Sequence, residues 1–134
     1  MILIGENINI MSKTIGAAMR ERNPKPIQEM ALAEVTAGAD YLDLNIGPAR
    51  RGGDVMMEWV VNTVQEVVAL PLSLDTTNPV AMEAGLKVCR SKALINSVSL
   101  QPERLARELA LVGKYKASMI GLLWGVEGMP RDAN

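Results

Sequence analysis

The chain has 134 residues, 49% hydrophobic and 22% charged, the proportions of a single globular domain with a real core. A net charge of -1, no run of like charges, and only two Trp and two Tyr give neither nucleic acid nor an anionic membrane a surface to bind. A single cysteine excludes an intrachain disulfide, and the lack of histidine removes the commonest general base, the commonest zinc ligand and any Ser-His or Cys-His pair, so no metal site is expected.

In chain order, Ile2-Leu3-Ile4 reads as a buried strand ended by Gly5. The apolar start passes at once into Gly5-Glu6-Asn7, unlike a secretory signal, and no apolar run approaches the roughly 20 residues of a membrane span, so a cytoplasmic location is expected. A helix is predicted from about Pro26 to Ala37, with Ile27, Met30, Ala31 and Val35 at helical spacing and Gly38 as its stop. Tyr41 to Ile46 is the next strand, closed by Gly47-Pro48. Asp54 is expected to cap a helix running to about Val68. Leu70 to Leu74 forms the third strand, with Asp75 at its end, and Pro79 opens a helix to about Cys89, which reads as a small residue on the helix flank. Ala93-Leu94-Ile95 is the fourth strand, ended by Asn96. Pro102 opens a helix to about Lys114, and Ser118 to Leu123 is the fifth strand.

Strands alternate with helices, start roughly 20 to 40 residues apart and show no hairpin signals, so the fold class is α/β with a parallel sheet, a barrel or a doubly wound sheet, in one domain spanning 1–134. The apolar strand residues, Ile2, Ile4, Leu42, Leu44, Leu72, Leu74, Ile95 and Ile120, are expected to face the barrel interior.

Polar residues gather where these strands end: Glu6, Asn7 and Asn9; Asp43 and Asn45; Asp75 and Thr76; Asn96 and Ser97. That end of a parallel α/β sheet is where ligands bind. Any one of these residues suits a turn or a helix cap, but four strand ends with the same character point to a ligand. Carboxylates and amides suit a neutral, hydrogen-bonding ligand rather than a phosphate. Arg50-Arg51-Gly52-Gly53 is the one basic, glycine-bearing loop, and reads as solvated surface that could meet an acidic tail or a partner protein.

These residues carry a resemblance. Ile4-Gly5-Glu6-Asn7-Ile8-Asn9, Leu42 to Ala49, Leu74-Asp75-Thr76-Thr77-Asn78, Ile95-Asn96-Ser97, and Ile120-Gly121-Leu122 with Gly128-Met129-Pro130-Arg131-Asp132 resemble, in order, the first five strand motifs of the methyltetrahydrofolate:corrinoid methyltransferases. Those enzymes are relatives of dihydropteroate synthase and of the pterin-binding domain of methionine synthase. The resemblance implies a (β/α)8 TIM barrel of the pterin-binding type, of which about the first five βα units are present. Two departures stand out: the family often has arginine where this chain has Asn7, and its barrel needs about twice this length, so the chain is expected to be a fragment or a split gene product. The absent strands would supply a second pterin-binding carboxylate and a further amide.

By that resemblance the chain moves the methyl group of 5-methyltetrahydrofolate to or from the cobalt of a corrinoid carried by a partner protein. It implies a homodimer for the full-length chain. Asp75 would hold the pterin amino group and ring N–H. Asn96 would be the catalytic amide beside the methyl-bearing nitrogen and also touch the pterin. Asp43, Asn45, Glu6 and Asn9 would complete the folate site. Two other readings stay open: a dihydropteroate synthase-like enzyme, for which the strand ends lack a basic anion site, and a pterin-binding fragment without turnover.

Overall fold

The computed structural model describes residues 1–122. Ten elements alternate: β1 (Ile4–Asn9), α1 (Lys13–Glu21), α2 (Pro24–Thr36), β2 (Tyr41–Asn45), α3 (Gly53–Gln65), β3 (Leu72–Asp75), α4 (Pro79–Val88), β4 (Leu94–Ser99), α5 (Pro102–Tyr115) and β5 (Ser118–Leu122). All neighbouring strands are parallel and the order is β1-β2-β3-β4-β5. Each strand lies beside its predecessor with no reversal, which is the order of a (β/α) barrel and not of a doubly wound sheet. Among the described residues the sheet is an open arc with β1 and β5 at its edges. No described helix is long and apolar enough to cross a membrane.

Local sequence explains the helix starts. Ser12, Asn23 and Asn78 lend side-chain oxygens to the first free N–H groups of α1, α2 and α4, and Pro24, Pro79 and Pro102 occupy first-turn positions where no N–H is needed. The α4 cap is the most elaborate. Asn78 Oδ1 accepts from Val80 N at 3.0 Å and Ala81 N at 3.3 Å, while its Nδ2 donates to Ala49 O at 2.7 Å. Asn78→Ala is therefore expected to cost about 1–2 kcal/mol, measured by urea unfolding; an unchanged midpoint would show that the cap contributes nothing.

Several boundaries differ from expectation. Ile2 and Leu3 lie outside the first strand and are exposed, and β1 continues through Gly5 to Asn9. Only Gly5 and Ile8 of β1 face the helices, so apolar content does not mark this strand. Helix α1 falls in a stretch for which no element is predicted, although Ser12 and the buried Ile15, Ala18 and Met19 form a capped amphipathic turn pattern. Asp54 does not cap α3; the cap position is Gly52, in the left-handed region at φ +63°, and Asp54 stands in the first turn. Asp75 lies within β3, and β4 runs past Asn96 to Ser99. Leu123 and the Gly128–Asp132 motif lie outside the described residues.

Strand register decides which side chains meet the helices. Ile8, Leu44, Leu74, Ile95 and Met119 form one row across the sheet, and Gly5, Leu42 and Leu72 form the start of another. These rows pack outward against Ile15, Met19, Ile27, Met57, Val60 and Val64 of the helices. The expectation that Leu42, Leu44, Leu72, Leu74 and Ile95 line the barrel interior is thus reversed: they form the core between sheet and helices. The interior side carries Tyr41, Asp43, Ser73 and the polar row described below. Helix α4 comes close enough to the sheet that a Cβ on Gly85 would stand 2.6 Å from Met57 Cγ and 2.8 Å from Leu74 Cδ1.

Candidate functional site

One row of register partners crosses the inner side of the sheet: Asn9, Asn45, Asp75, Asn96 and Ile120. Four of the six residues singled out in the sequence stand in that row. Asp43 lies one layer below, paired with Ser73, and reaches up to it. Asn96 Nδ2 donates to Asp43 Oδ1 at 3.1 Å and to Asp75 Oδ2 at 3.4 Å, while Ser73 Oγ donates to Asp43 Oδ1 at 2.6 Å. The Asn96–Ser97 peptide is cis. Asp43, Asp75 and Asn96 therefore form one hydrogen-bonded cluster built from three adjacent strands.

The two carboxyls are not equivalent. Asp43 is buried and accepts from two side chains. Asp75 is half-buried and receives a single long donor, and no Lys or Arg reaches either carboxyl among the described residues. Burial pushes the Asp75 carboxyl up to about 7, reinforced by a hydrogen bond to Asp43, by the charge of Asp43 and by that of Glu6. At neutral pH Asp75 is a carboxyl on the edge of ionisation, short of hydrogen-bond donors.

The other candidates frame this cluster. Asn9 Oδ1 accepts from Met11 N at 2.9 Å and Asn45 Oδ1 from Gly47 N at 2.8 Å, so both also serve as turn formers. Glu6 is exposed and lies within a register break of β1 between Gly5 and Ile8, where three steps on β1 match two on β2. It joins the cluster through its charge rather than by a side-chain hydrogen bond. Asp75 does not cap α4; Asn78 does that, which leaves the aspartate oxygens to the cluster. Arg50 and Arg51 are exposed on the loop after β2. Burial lifts the Cys89 thiol to about 11, so it is an inert flank residue.

Two residues of the site escaped sequence reasoning. Ser73 is fully buried and orients Asp43; its signal is the two-residue spacing to Asp75 on the same strand face. Glu34 of α2 is 4% exposed and sits behind β1; it shares the buried helix face with Ile27 and Ala31, a spacing readable in the sequence. A groove of about 620 Å³ lies elsewhere, on the outside between α3, α4 and α5, and touches none of the cluster residues. The site is recognised by converging polar groups on one wall.

Comparison with known proteins gives the family. Residues 5–133 match the profile of the pterin-binding enzymes. A methylcorrinoid:tetrahydrofolate methyltransferase from Eubacterium limosum is 34% identical over 99 residues, which are 74% of this chain and 36% of that protein. The methionine synthase of Mycobacterium tuberculosis is 30% identical over 139 residues, covering 99% of this chain and 12% of its own length, and that of Mycobacterium leprae is 28% identical over 137 residues. In each case the matched stretch is the smaller part of a longer relative.

Proposed function

The chain belongs to the family of pterin-binding enzymes, and from that premise we propose that it forms the pterin-holding wall of a methyltransferase acting between methyltetrahydrofolate and a corrinoid protein. The observation that carries this reading is the donor deficit at Asp75. A pterin offers an exocyclic amino group and a ring N–H along one edge, and a carboxylate accepts both. A half-buried carboxyl with one long donor and two acidic neighbours gains most from such an edge. The relatives' names, a methylcorrinoid:tetrahydrofolate methyltransferase and methionine synthases, favour folate over a pterin pyrophosphate. So does the row itself, which offers amides and carboxyls and no basic residue.

In this reading Asn96 stands next to the reacting nitrogen of the folate. Its amide nitrogen is committed to Asp43 and Asp75, which turns its oxygen toward the ligand. That oxygen accepts a hydrogen bond from the folate nitrogen when the nitrogen is protonated, the form in which it is the better leaving group. Asp43, held by Ser73, keeps Asn96 oriented. The corrinoid on the partner protein supplies the cobalt that exchanges the methyl group. The work of this chain is to bind, orient and tune protonation.

Asn96→Ala is expected to slow single-turnover methyl transfer by about threefold to tenfold, more than it weakens folate binding, since the contact strengthens as charge develops on the nitrogen. Stopped-flow transfer to a corrinoid protein, in a chain carrying the complete barrel, gives the rate. A loss of affinity in proportion, with an unchanged rate, would make Asn96 a plain binding residue. The function itself is tested by adding the C-terminal part of a barrel by fusion or in trans. Methyl transfer then supports the enzyme reading, and tight folate binding without turnover reduces the chain to a binding module.

A further inference from the structure

Glu34 is an acidic side chain in an outer helix, almost wholly buried, and its Oε1 has no partner among the described residues. Burial raises its carboxyl above the usual range, the Asn7 N–H opposes this, and the charges of Asp43 and Glu6 add to the rise. A carboxyl in that position costs stability unless it does something for the fold or the site. Its other oxygen, Oε2, lies 3.5 Å from the backbone N of Asn7, inside the register break of β1. The chain makes room for it: a Cβ on Gly5 would stand 1.8 Å from Glu34 Oε2 and 2.7 Å from its Cδ. So the glycine, the break and the glutamate form one device. A related contact lies just past the second register break, in β4 between Asn96 and Val98. There the nearly buried Glu108 of α5 accepts from Ser99 N at 2.6 Å. In both cases a helix carboxyl lies against a backbone N–H in or just past the irregular stretch of a strand that carries a site residue.

We propose that Glu34 is a positioning residue: through the Asn7 N–H it holds the β1 bulge in the shape that directs Glu6 into the mouth of the folate site. This rests on the methyltransferase reading for its functional consequence, though not for its geometry. Gly5 serves the same end by admitting the carboxyl. The charge of Glu6 adds to the rise of the Asp75 carboxyl, so releasing the bulge changes the electrostatics of Asp75.

The test uses a chain carrying the complete barrel. Glu34→Gln keeps an oxygen acceptor and matches the neutral acid in shape, Glu34→Leu keeps the bulk without the acceptor, and Gly5→Ala evicts the carboxyl while leaving it in the chain. Glu34→Leu and Gly5→Ala are each expected to lower single-turnover transfer by about fivefold to tenfold, the cost of one lost polar anchor. Both substitutions are also expected to move the acid limb of the folate-affinity profile to lower pH and to speed exchange of the Asn7 amide. Glu34→Gln is expected to restore all three. The proposal is overturned if the glutamine and leucine variants behave alike, or if the Asn7 amide of the unsubstituted protein exchanges as freely as an exposed one; the second measurement decides even if a variant does not fold. Failure of the unsubstituted protein to bind folate, with Asn7 protected and released in the leucine variant, would instead remove the functional reading and leave the positioning intact.

Discussion

Asp75→Ala, in a chain carrying the complete barrel, is expected to weaken methyltetrahydrofolate binding at least about tenfold, the loss of a charge-assisted hydrogen-bond pair. The pH dependence gives this prediction a sign. The pterin edge needs the ionised carboxyl, whereas burial and the neighbouring Asp43 and Glu6 hold Asp75 up to about 7 in the free protein. Binding below that pH must therefore expel a proton. Affinity is expected to fall about fivefold from pH 7 to pH 6 and to approach about tenfold per unit further down. Stability of the free protein runs the other way. The folded state holds the Asp75 proton more tightly than the unfolded chain, so this group favours folding most at acid pH, and the benefit fades as pH rises from the ordinary aspartate range through about 7. Asp75→Asn removes the ionisation and is expected to flatten both trends. Titration calorimetry at several pH values, in buffers of different ionisation heat, reads affinity and proton release together. Unchanged affinity in the alanine variant, or a pH-independent affinity in the unsubstituted protein, would remove Asp75 from the pterin site.

Much of this site was legible because the parallel βα pattern can be read from punctuation. Gly47-Pro48, Pro79 and Pro102 mark where strands stop and helices begin, and polar residues just inside those marks form the wall. Asp75 and Asn96 followed from that rule, and the register row joins them with Asn9 and Asn45. What escaped had physical reasons. Strand β1 has a polar inner side and a break at Glu6-Asn7, so neither apolar content nor two-residue alternation reveals it. Glu34 serves a strand 27 residues earlier in the chain, a distance over which helix periodicity carries no information about the partner. The facing of Leu42, Leu44, Leu72, Leu74 and Ile95 was inverted, whereas Ile120 stands in the inner row as expected, because a strand of the type Leu-Asp-Leu-Asn has one apolar and one polar side. Periodicity separates the two sides without saying which of them meets the helices.

That inversion changes what a polypeptide of these 134 residues alone is expected to do. Its inner sheet face is not an apolar wall awaiting its opposite half; apart from Tyr41 and Ile120 it carries the polar row of Asn9, Asn45, Asp75 and Asn96, which water tolerates. The exposed liabilities lie at the two edges of the described sheet. Among the described residues, strands β1 and β5 each present backbone N–H and C=O groups with no neighbouring strand on one side. The outer apolar row, buried from Ile8 to Ile95, opens at Met119, which is 47% exposed, and Ile2 and Leu3 are exposed beside the start of β1. Each large apolar side chain is worth roughly 1.5–3 kcal/mol when fully buried, so covering these edges is a strong drive to associate. The polypeptide alone is expected to form concentration-dependent assemblies through its edge strands, with a protected core at β2 and β3, and to transfer no methyl groups. The C-terminal part of a barrel, added in trans, is expected to disperse the assemblies and to restore folate binding. Light scattering after size exclusion, with amide exchange to locate the protected strands, reads both. A monodisperse, catalytically active monomer of 134 residues would show that the edges are covered in another way and that no further strands are needed to complete the site.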